Sequence, residues 1–229
     1  MSTLRVDLDL IRKYNVPAPR YTSYPPATHF TEMPAEAVLE RIRADDQSVR
    51  DLSLYFHLPF CQSLCWFCGC TTVITTQQEA SANYLDYLDR EITLMAGMLN
   101  PARKAAQLHF GGGTPTFLKP DEIRRLGRLI RSRFTYAGDI EAGVEIDPRR
   151  IVRDHITALR DAGFNRASLG VQDFNPAVQL AIHRIQSKDE TERTLEWLRE
   201  DGFLSLNIDL IYGLPHQTVR SFEQTLDDL

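Results

Sequence analysis

Four cysteines lie together in one short segment, and they are the residues of this sequence best suited to metal chemistry. Cys61, Cys65, Cys68 and Cys70 follow the spacing C-x3-C-x2-C-x-C, and the sequence contains no other cysteine. A disulfide framework distributes its cysteines so that they join distant segments. Because these four are neighbours in sequence, their spacing favours a metal site over a set of disulfides.

Three kinds of site could use these thiols. Buried thiols without a ligand behave as small apolar side chains, but four of them in one loop make this interpretation weak. Structural zinc is usually held by two separated pairs of cysteine or histidine ligands, and no second pair exists here. An iron–sulfur cluster carries its irons at separate corners, which three thiolates of one short loop can reach. The spacing therefore favours an iron–sulfur cluster, and in a 4Fe-4S cluster with three thiolate ligands the fourth iron is open.

Apolar segments of strand and helix type alternate along the chain around this loop. The sequence predicts strands at Leu52–Leu58, Gln107–Phe110, Ile140–Ile146, Ala167–Val171 and Leu204–Ile211, with amphipathic helical segments after them. This alternation indicates a parallel sheet with right-handed crossovers. In β/α barrels the chemistry lies at the carboxyl ends of the strands. Polar residues or glycines occupy these ends, namely His57, Gly112, Glu145, Gln172, Asp173 and Asp209.

Several motifs together give a resemblance to a known family. The spacing C-x3-C-x2-C, with Phe67 just before the third cysteine, resembles the signature of the radical S-adenosylmethionine (radical SAM) superfamily. Within it, the chain resembles the oxygen-independent coproporphyrinogen III oxidases (coproporphyrinogen dehydrogenases) over nearly its whole length. The other motifs that carry this resemblance are RYTSYP at 20–25, GGGTP at 111–115, EIDPR at 145–149, GVQDF at 170–174 and NIDLIYGLP at 207–215.

The resemblance implies an α/β fold, a partial (β/α)6 TIM-like radical SAM barrel over 51–229, after an N-terminal arm and helix over 1–50. The sixth strand and a helical C-terminal domain are expected to be absent from these 229 residues, which alone are expected to be inactive. The last amphipathic stretch has no stop signal, and Leu229 is expected on its buried face. The chain is interpreted as the front part of a longer protein.

The implied activity is that of an oxidoreductase of haem biosynthesis. In the family, two propionate side chains of coproporphyrinogen III become vinyl groups anaerobically, which gives protoporphyrinogen IX and carbon dioxide. The implied cofactors are a 4Fe-4S cluster and S-adenosyl-L-methionine, which together yield a 5′-deoxyadenosyl radical. A radical suits this reaction because an unactivated propionate carbon offers no acidic proton, so the cofactor must supply the reactive species.

The resemblance also implies roles for individual residues. Cys61, Cys65 and Cys68 match the cluster ligands, whereas Cys70 matches a family cysteine that does not bind the cluster. Tyr55 and Glu145 match contacts to S-adenosylmethionine, and a carboxylate such as Glu145 suits the ribose hydroxyls. The remaining matches are Gly112 and Gly113 for the amino acid end of the cofactor, and Phe67, Thr114, Gln172, Arg184 and Asp209 around a second S-adenosylmethionine.

The charge balance limits the classes of partner. With 26 Lys and Arg against 31 Asp and Glu the net charge is −5, which argues against a nucleic-acid binder. Leu52–Gln78 is free of charged residues, but its proline, histidine and cysteines suit a lipid-facing helix poorly. We expect a cytoplasmic monomer with no membrane insertion, whose partners are coproporphyrinogen III and an unidentified electron donor. In the proline-rich arm, Arg20, Tyr21 and Tyr24 are candidates for holding the anionic tetrapyrrole.

Three other interpretations compete with the oxidase. A radical-SAM-type haem chaperone shares GGGTP but typically lacks RYTSYP and the last cysteine, both of which are present here. An anaerobic haem-degradation enzyme of the same superfamily is the second. A zinc-binding structural module is the third, and metal analysis distinguishes it from an iron–sulfur protein.

Overall fold

The computed structural model describes residues 7–16, 26–47 and 50–229. The chain forms two units, Met1–Arg41 and Ile42–Leu229. In the first unit, helix α1 (Leu8–Tyr14) begins after Asp7, whose carboxylate accepts hydrogen bonds from the Asp9 and Leu10 amides. A 3-10 turn follows at Ala27–His29. Helix α2 covers Ala35–Asp46, and the division into two units falls within it.

The predicted arm motif at 20–25 lies outside the described residues, as do its candidate substrate contacts Arg20, Tyr21 and Tyr24. Their role therefore stays a prediction, and so does the division of the chain into an arm and helix over 1–50 and a barrel over 51–229.

The second unit alternates strands and helices as the sequence predicts. Its strands are β1 (Leu52–Leu58), β2 (Phe60–Cys61), β3 (Val73–Ile74), β4 (Lys104–Gly112), β5 (Thr135–Ile146), β6 (Arg166–Gln172) and β7 (Ser205–Leu210). Its further helices are α3 (Glu79–Ala96), α4 (Pro120–Arg133), α5 (Arg153–Ala162), α6 (Pro176–Ala181), α7 (Lys188–Glu200) and α8 (Val219–Asp227). No helix in the described part of the chain is long and apolar enough to cross a membrane.

Five strands form one parallel sheet in the order β1-β4-β5-β6-β7. Because the strands are parallel and in sequence order, all their carboxyl ends meet at one edge, which is the edge that the sequence predicts for the site. Strands β2 and β3 form a separate small parallel sheet on either side of the cysteine segment. The predicted α/β architecture is therefore present.

Two strands begin earlier than their apolar residues indicate. Strand β4 starts at Lys104 and β5 at Thr135, and these two residues pair with each other. Parallel pairing uses backbone groups, so a ladder can extend over short segments whose side chains show no strand-like apolar pattern. Helix α6 is short and ends at Ala181.

The expected burial of Leu229 is wrong, because this residue is about half exposed. The buried residue of helix α8 is instead Thr225, whose hydroxyl donates to the fully buried Asp173 carboxylate at 3.0 Å. A polar contact therefore attaches this helix to the turn after β6, and hydrophobic periodicity does not detect such a contact.

The core lies between the sheet and the helices that cover it. Phe110 of β4 is fully buried, and its ring meets Phe56 of β1 and Phe164 edge-on at centroid distances of 5.6 and 4.5 Å. Such edge-on pairs add to the free energy gained by burying the rings. Helices α4 and α5 approach closely at Gly127, where a Cβ atom would lie 2.5 Å from the Ala162 Cβ.

We expect Gly127→Val to lower the free energy of unfolding by about 1–3 kcal/mol, because the added methyl groups force the two helices apart. Urea denaturation measures this loss. The matched control is Gly138→Val in strand β5, where a Cβ would meet nothing within 4 Å and where valine suits a strand. Equal stability of the two variants would contradict the close α4–α5 contact.

Candidate functional site

The cysteine segment follows β1 directly and is anchored on both sides. The Val73 amide donates to the Pro59 carbonyl at 2.7 Å, and the Thr75 amide donates to the Cys61 carbonyl at 2.9 Å. Inside the segment the Cys68 amide donates to the Cys65 carbonyl at 3.0 Å. These bonds close a compact loop at the carboxyl edge of the sheet, and its four thiols are free of disulfides.

The segment just after helix α6 holds the loop from another side. The Trp66 amide donates to the Ile182 carbonyl at 3.0 Å, and the His183 ring bonds the Leu64 carbonyl through Nδ1 at 2.7 Å. The Trp66 and His183 rings also stack, with centroids 5.4 Å apart. The loop therefore has a fixed shape that involves residues distant in sequence.

One cavity of about 260 Å³ collects nearly all the residues that the sequence singles out. All four cysteines line it, so the predicted ligands lie beside the predicted cofactor contacts. Tyr55 is the one predicted cofactor contact that is not among the lining residues. The other eight line the cavity: Phe67, Gly112, Gly113, Thr114, Glu145, Gln172, Arg184 and Asp209.

The two glycines at the end of β4 are required by packing. Gly112 has a φ of +110°, and a Cβ there would lie 2.5 Å from the His57 ring. A Cβ on Gly113 would lie 2.7 Å from the backbone of Pro59 and Phe60. The Gly113 amide also donates to the Leu58 carbonyl at 2.8 Å. Because glycine has no side chain, the end of β4 packs directly against the start of the cysteine loop.

Glu145 lies at the end of β5 as a half-exposed carboxylate. Its Oε2 accepts from the Gly112 amide at 3.3 Å, and its Oε1 lies 3.4 Å from His109 Nε2. The hydrogen bond from His109 is the main cause that lowers the pKa of Glu145. Glu145 is therefore an ionised acceptor at neutral pH, suited to hydroxyl groups.

Tyr55 is connected to Glu145 through His109. Its ring stacks on His109 with centroids 5.9 Å apart, and its hydroxyl lies 3.1 Å from His57 Nδ1. His109 is not among the site residues predicted from the sequence. The available signal was its place in β4 just before Phe110, since alternating residues of a strand face opposite sides and Phe110 faces the core.

Three further predicted contacts come from β6, β7 and the segment after α6. The Asp209 carboxylate accepts from Ser168 Oγ and from Asn207 Nδ2, each at 2.8 Å. Gln172 is buried with a φ of +71°. Arg184 is 7% exposed, and its Nη2 donates to the Gly170 carbonyl at 2.5 Å. This side of the cavity therefore presents both a carboxylate and a guanidinium.

Asp147 and Arg149, both within the EIDPR motif, complete the wall beside Cys65. Burial opposes ionisation of Asp147, but the Arg149 and Arg184 guanidiniums outweigh it and hold the pKa of Asp147 below its usual value. Neither Asp147 nor Arg149 is among the residues predicted from the sequence, because the contact of Arg149 with Cys65 joins residues far apart in the chain.

The environments of Cys61 and Cys70 differ. Burial raises the pKa of the Cys61 thiol, and the Thr114 hydroxyl, 3.4 Å from its sulfur, opposes that rise. Burial, with a hydrogen bond that the Cys70 thiol donates to Cys68, raises the pKa of Cys70 to about 11. Cys70 is also the one exposed cysteine of the four.

The donor set fits an iron–sulfur cluster. Three soft thiol ligands reach one cavity from one loop, and such ligands suit iron–sulfur clusters. Within the described ranges, no three His, Cys, Asp or Glu side chains are grouped closely enough to hold a single metal ion. The cavity wall also contains a buried polar atom with no partner in the described part of the chain, Arg184 Nε, which leaves a donor for a bound molecule.

The fold and this site define a class of protein. The pattern of the radical SAM superfamily matches residues 55–229, so the chain belongs to the radical SAM superfamily. Oxygen-independent coproporphyrinogen III oxidase of Escherichia coli (strain K12) is 48% identical over 229 residues, which cover 99% of this chain and 50% of that protein. The enzyme of the same name from Pseudomonas aeruginosa is 44% identical over 232 residues, which cover 100% and 50%.

A solved structure agrees with this assignment. Coproporphyrinogen III oxidase from Escherichia coli, described as a radical SAM enzyme, superimposes with a TM-score of 0.86 and 47% identity. The match covers 96% of this chain and 49% of that one. The predicted fold class, an α/β partial barrel of the radical SAM type, is confirmed. The chain spans about half the length of the relatives it matches.

We expect Gly113→Ala to displace the cysteine loop, since the atoms that the new methyl would meet are backbone atoms. The expected loss in the free energy of unfolding is about 1–3 kcal/mol, measured by urea denaturation, with faster proteolysis within 59–75. Gly69→Ala is the matched control, because it lies between Cys68 and Cys70 and its Cβ would meet nothing within 4 Å. Normal stability of Gly113→Ala would show that β4 does not support the loop.

Proposed function

We propose that the protein to which this chain belongs is an anaerobic coproporphyrinogen III oxidase that forms protoporphyrinogen IX. The observation that carries the proposal is the single cavity in which three thiols of one loop meet eight of the predicted cofactor contacts. The high identity to enzymes named for this reaction supports the substrate. In the reaction each propionate loses a hydrogen atom, carbon dioxide and one electron, and an acceptor still to be identified takes the electron.

The cofactors in this proposal are a 4Fe-4S cluster and S-adenosyl-L-methionine. Cys61, Cys65 and Cys68 would hold three irons, and Cys70 would remain a free thiol. When bound, the two groups supply radical chemistry that can remove hydrogen from an unactivated carbon. The protein's part is to bind, orient and shield these groups.

Glu145 would accept hydrogen bonds from the ribose hydroxyls of S-adenosylmethionine. Two neighbours suit Glu145 to this role. The Gly112 amide donates to one of its oxygens, and the hydrogen bond from His109 keeps its carboxylate ionised. The stacking of Tyr55 on His109 orients the imidazole. Gly112 and Gly113 would contact the amino acid end of the cofactor at the point where the end of β4 turns under the loop.

Phe67, Thr114, Gln172, Arg184 and Asp209 would surround a second S-adenosylmethionine. Arg184 and Asp209 supply opposite charges, which suits a molecule that carries both a carboxylate and cationic groups. The unpartnered Nε of Arg184 supports this role.

The proposal includes a monomer in the cytoplasm and a separate electron donor, and four cysteines without disulfides suit a reducing compartment.

The test uses the full-length protein, with its cluster restored under anaerobic conditions. Its cluster is reduced with dithionite, the excess is removed, and the protein is incubated with coproporphyrinogen III, S-adenosylmethionine and a one-electron acceptor before the tetrapyrroles are separated by chromatography. We expect protoporphyrinogen IX. Tight binding of haem with no conversion of coproporphyrinogen III would favour a haem chaperone, and haem-dependent consumption of S-adenosylmethionine would favour haem degradation. Either result without vinyl product would overturn the proposal.

Single cysteine variants test the ligand assignment. We expect Cys61→Ala, Cys65→Ala and Cys68→Ala to lose the visible iron–sulfur absorbance and the cleavage of S-adenosylmethionine, because each removes the ligand of one iron. Cys70→Ala is the matched control from the same loop, and its iron and sulfide content should remain near normal. A Cys70→Ala variant without iron would refute the assignment, and zinc in place of iron and sulfide would refute the cluster itself.

A further inference from the structure

A buried group of three charges lies beside the predicted cluster ligand Cys65. The Asp147 carboxylate accepts from Arg149 Nη2 at 2.6 Å and from Arg149 Nε at 3.0 Å. On its other side, Arg184 Nη1 donates to the same carboxylate at 3.3 Å. The three side chains are only 8–16% exposed, so each guanidinium is held in one position.

Both guanidiniums reach the same sulfur atom. Arg149 Nη2 lies 3.5 Å from Cys65 Sγ, and Arg184 Nη1 lies 3.6 Å from it. Cys65 is buried, with 8% exposed. Two cations and one carboxylate give the group a net charge of +1 next to a thiol that would bind iron as a thiolate. The group therefore has the sign and the donors needed to stabilise negative charge on that sulfur.

The potential of an iron–sulfur cluster depends on its net charge and on hydrogen bonds to its sulfurs. A reduced cluster carries one more negative charge, so a nearby cation and an N–H donor stabilise it more than the oxidised form. Hydrogen-bonded partners outside the ligands commonly tune a metal centre in this way. In a buried site these electrostatic effects are weakly screened by solvent.

We propose that Arg149 is a positioning residue that donates to the Cys65 thiolate and thereby raises the reduction potential of the cluster. Asp147 holds the guanidinium in place. The inference rests on the proposed function in one respect, that Cys65 binds an iron–sulfur cluster. It does not depend on which substrate the enzyme converts.

The neighbouring Arg150 provides a matched control. It has the same charge and lies one residue further on, but its φ is +65° and its guanidinium donates to the Gln62 side chain. Arg150 thus tests whether any positive charge near the loop has the same effect. Arg184 is a poorer choice for the experiment because the proposed function gives it a cofactor contact.

The experiment measures the midpoint potential of the cluster by redox titration, followed by electron paramagnetic resonance, on the reconstituted full-length protein. We expect Arg149→Gln to lower the equilibrium constant for reduction about tenfold, which for one electron is a shift of about −59 mV. Arg149→Lys keeps the charge but loses the fork of donors, so its shift should be smaller and of the same sign. Arg150→Gln should retain the original potential.

Each outcome of the redox titration either supports or overturns the proposed role of Arg149. An unchanged potential in iron-loaded Arg149→Gln, or an equal shift in Arg150→Gln, would overturn the proposal. If Arg149→Gln does not retain a cluster, the comparison of Arg149→Lys with Arg150→Gln decides, and a lysine variant with the original potential would overturn it. If Arg149→Gln shifts the potential but the unsubstituted protein forms no vinyl product, the inference about Arg149 holds and the proposed substrate is wrong.

Discussion

The close approach of Gly113 to the backbone of Pro59 and Phe60 determines where the cysteine loop lies. Two parallel strands run side by side, and their continuation past the sheet edge brings the end of β4 under the segment that leads to Cys61. A side chain at Gly113 would separate these backbones. The position of the cysteines relative to Glu145 and to the ends of β6 and β7 depends on this contact, because all of these groups lie at the same edge of the sheet.

The positive and negative charges of the site lie on different sides of it. The chain carries a net charge of −5, yet the side nearest Cys65 has two guanidiniums around one carboxylate. Glu145 and Asp209 supply the negative charge at the ends of β5 and β7. The proposed S-adenosylmethionine, which carries a carboxylate and cationic groups, and the proposed thiolate-bound cluster would need such a division, because each charged group requires the opposite charge. Buried arginines satisfy this need against the sign of the whole molecule.

Much of the fold was predictable from particular residues. The apolar runs Leu52–Leu58 and Ala167–Val171 predict strands with bounds close to those observed. The early starts of β4 and β5 were not predictable, because backbone pairing extends them over segments without a strand-like apolar pattern. The burial of Leu229 was predicted wrongly, since Thr225 attaches α8 to Asp173 through a hydrogen bond. Within the site, His109, Asp147 and Arg149 were not predicted, because their importance depends on tertiary contacts: His109 contacts Glu145, and Asp147 holds Arg149 beside Cys65.

The sequence by itself determined the chemistry that the protein can offer: four thiols in one loop, a glycine strip, and polar residues after each apolar strand. These features are local, so spacing and residue type are enough to recognise them. Only the tertiary structure decided which groups meet. The contacts of Arg149 and Arg184 with Cys65 join residues 84 and 119 positions apart, and such distances close only when the strands take their order in the sheet. Burial of the charged group is likewise a property of the folded chain, because the helices and the loop together remove it from water.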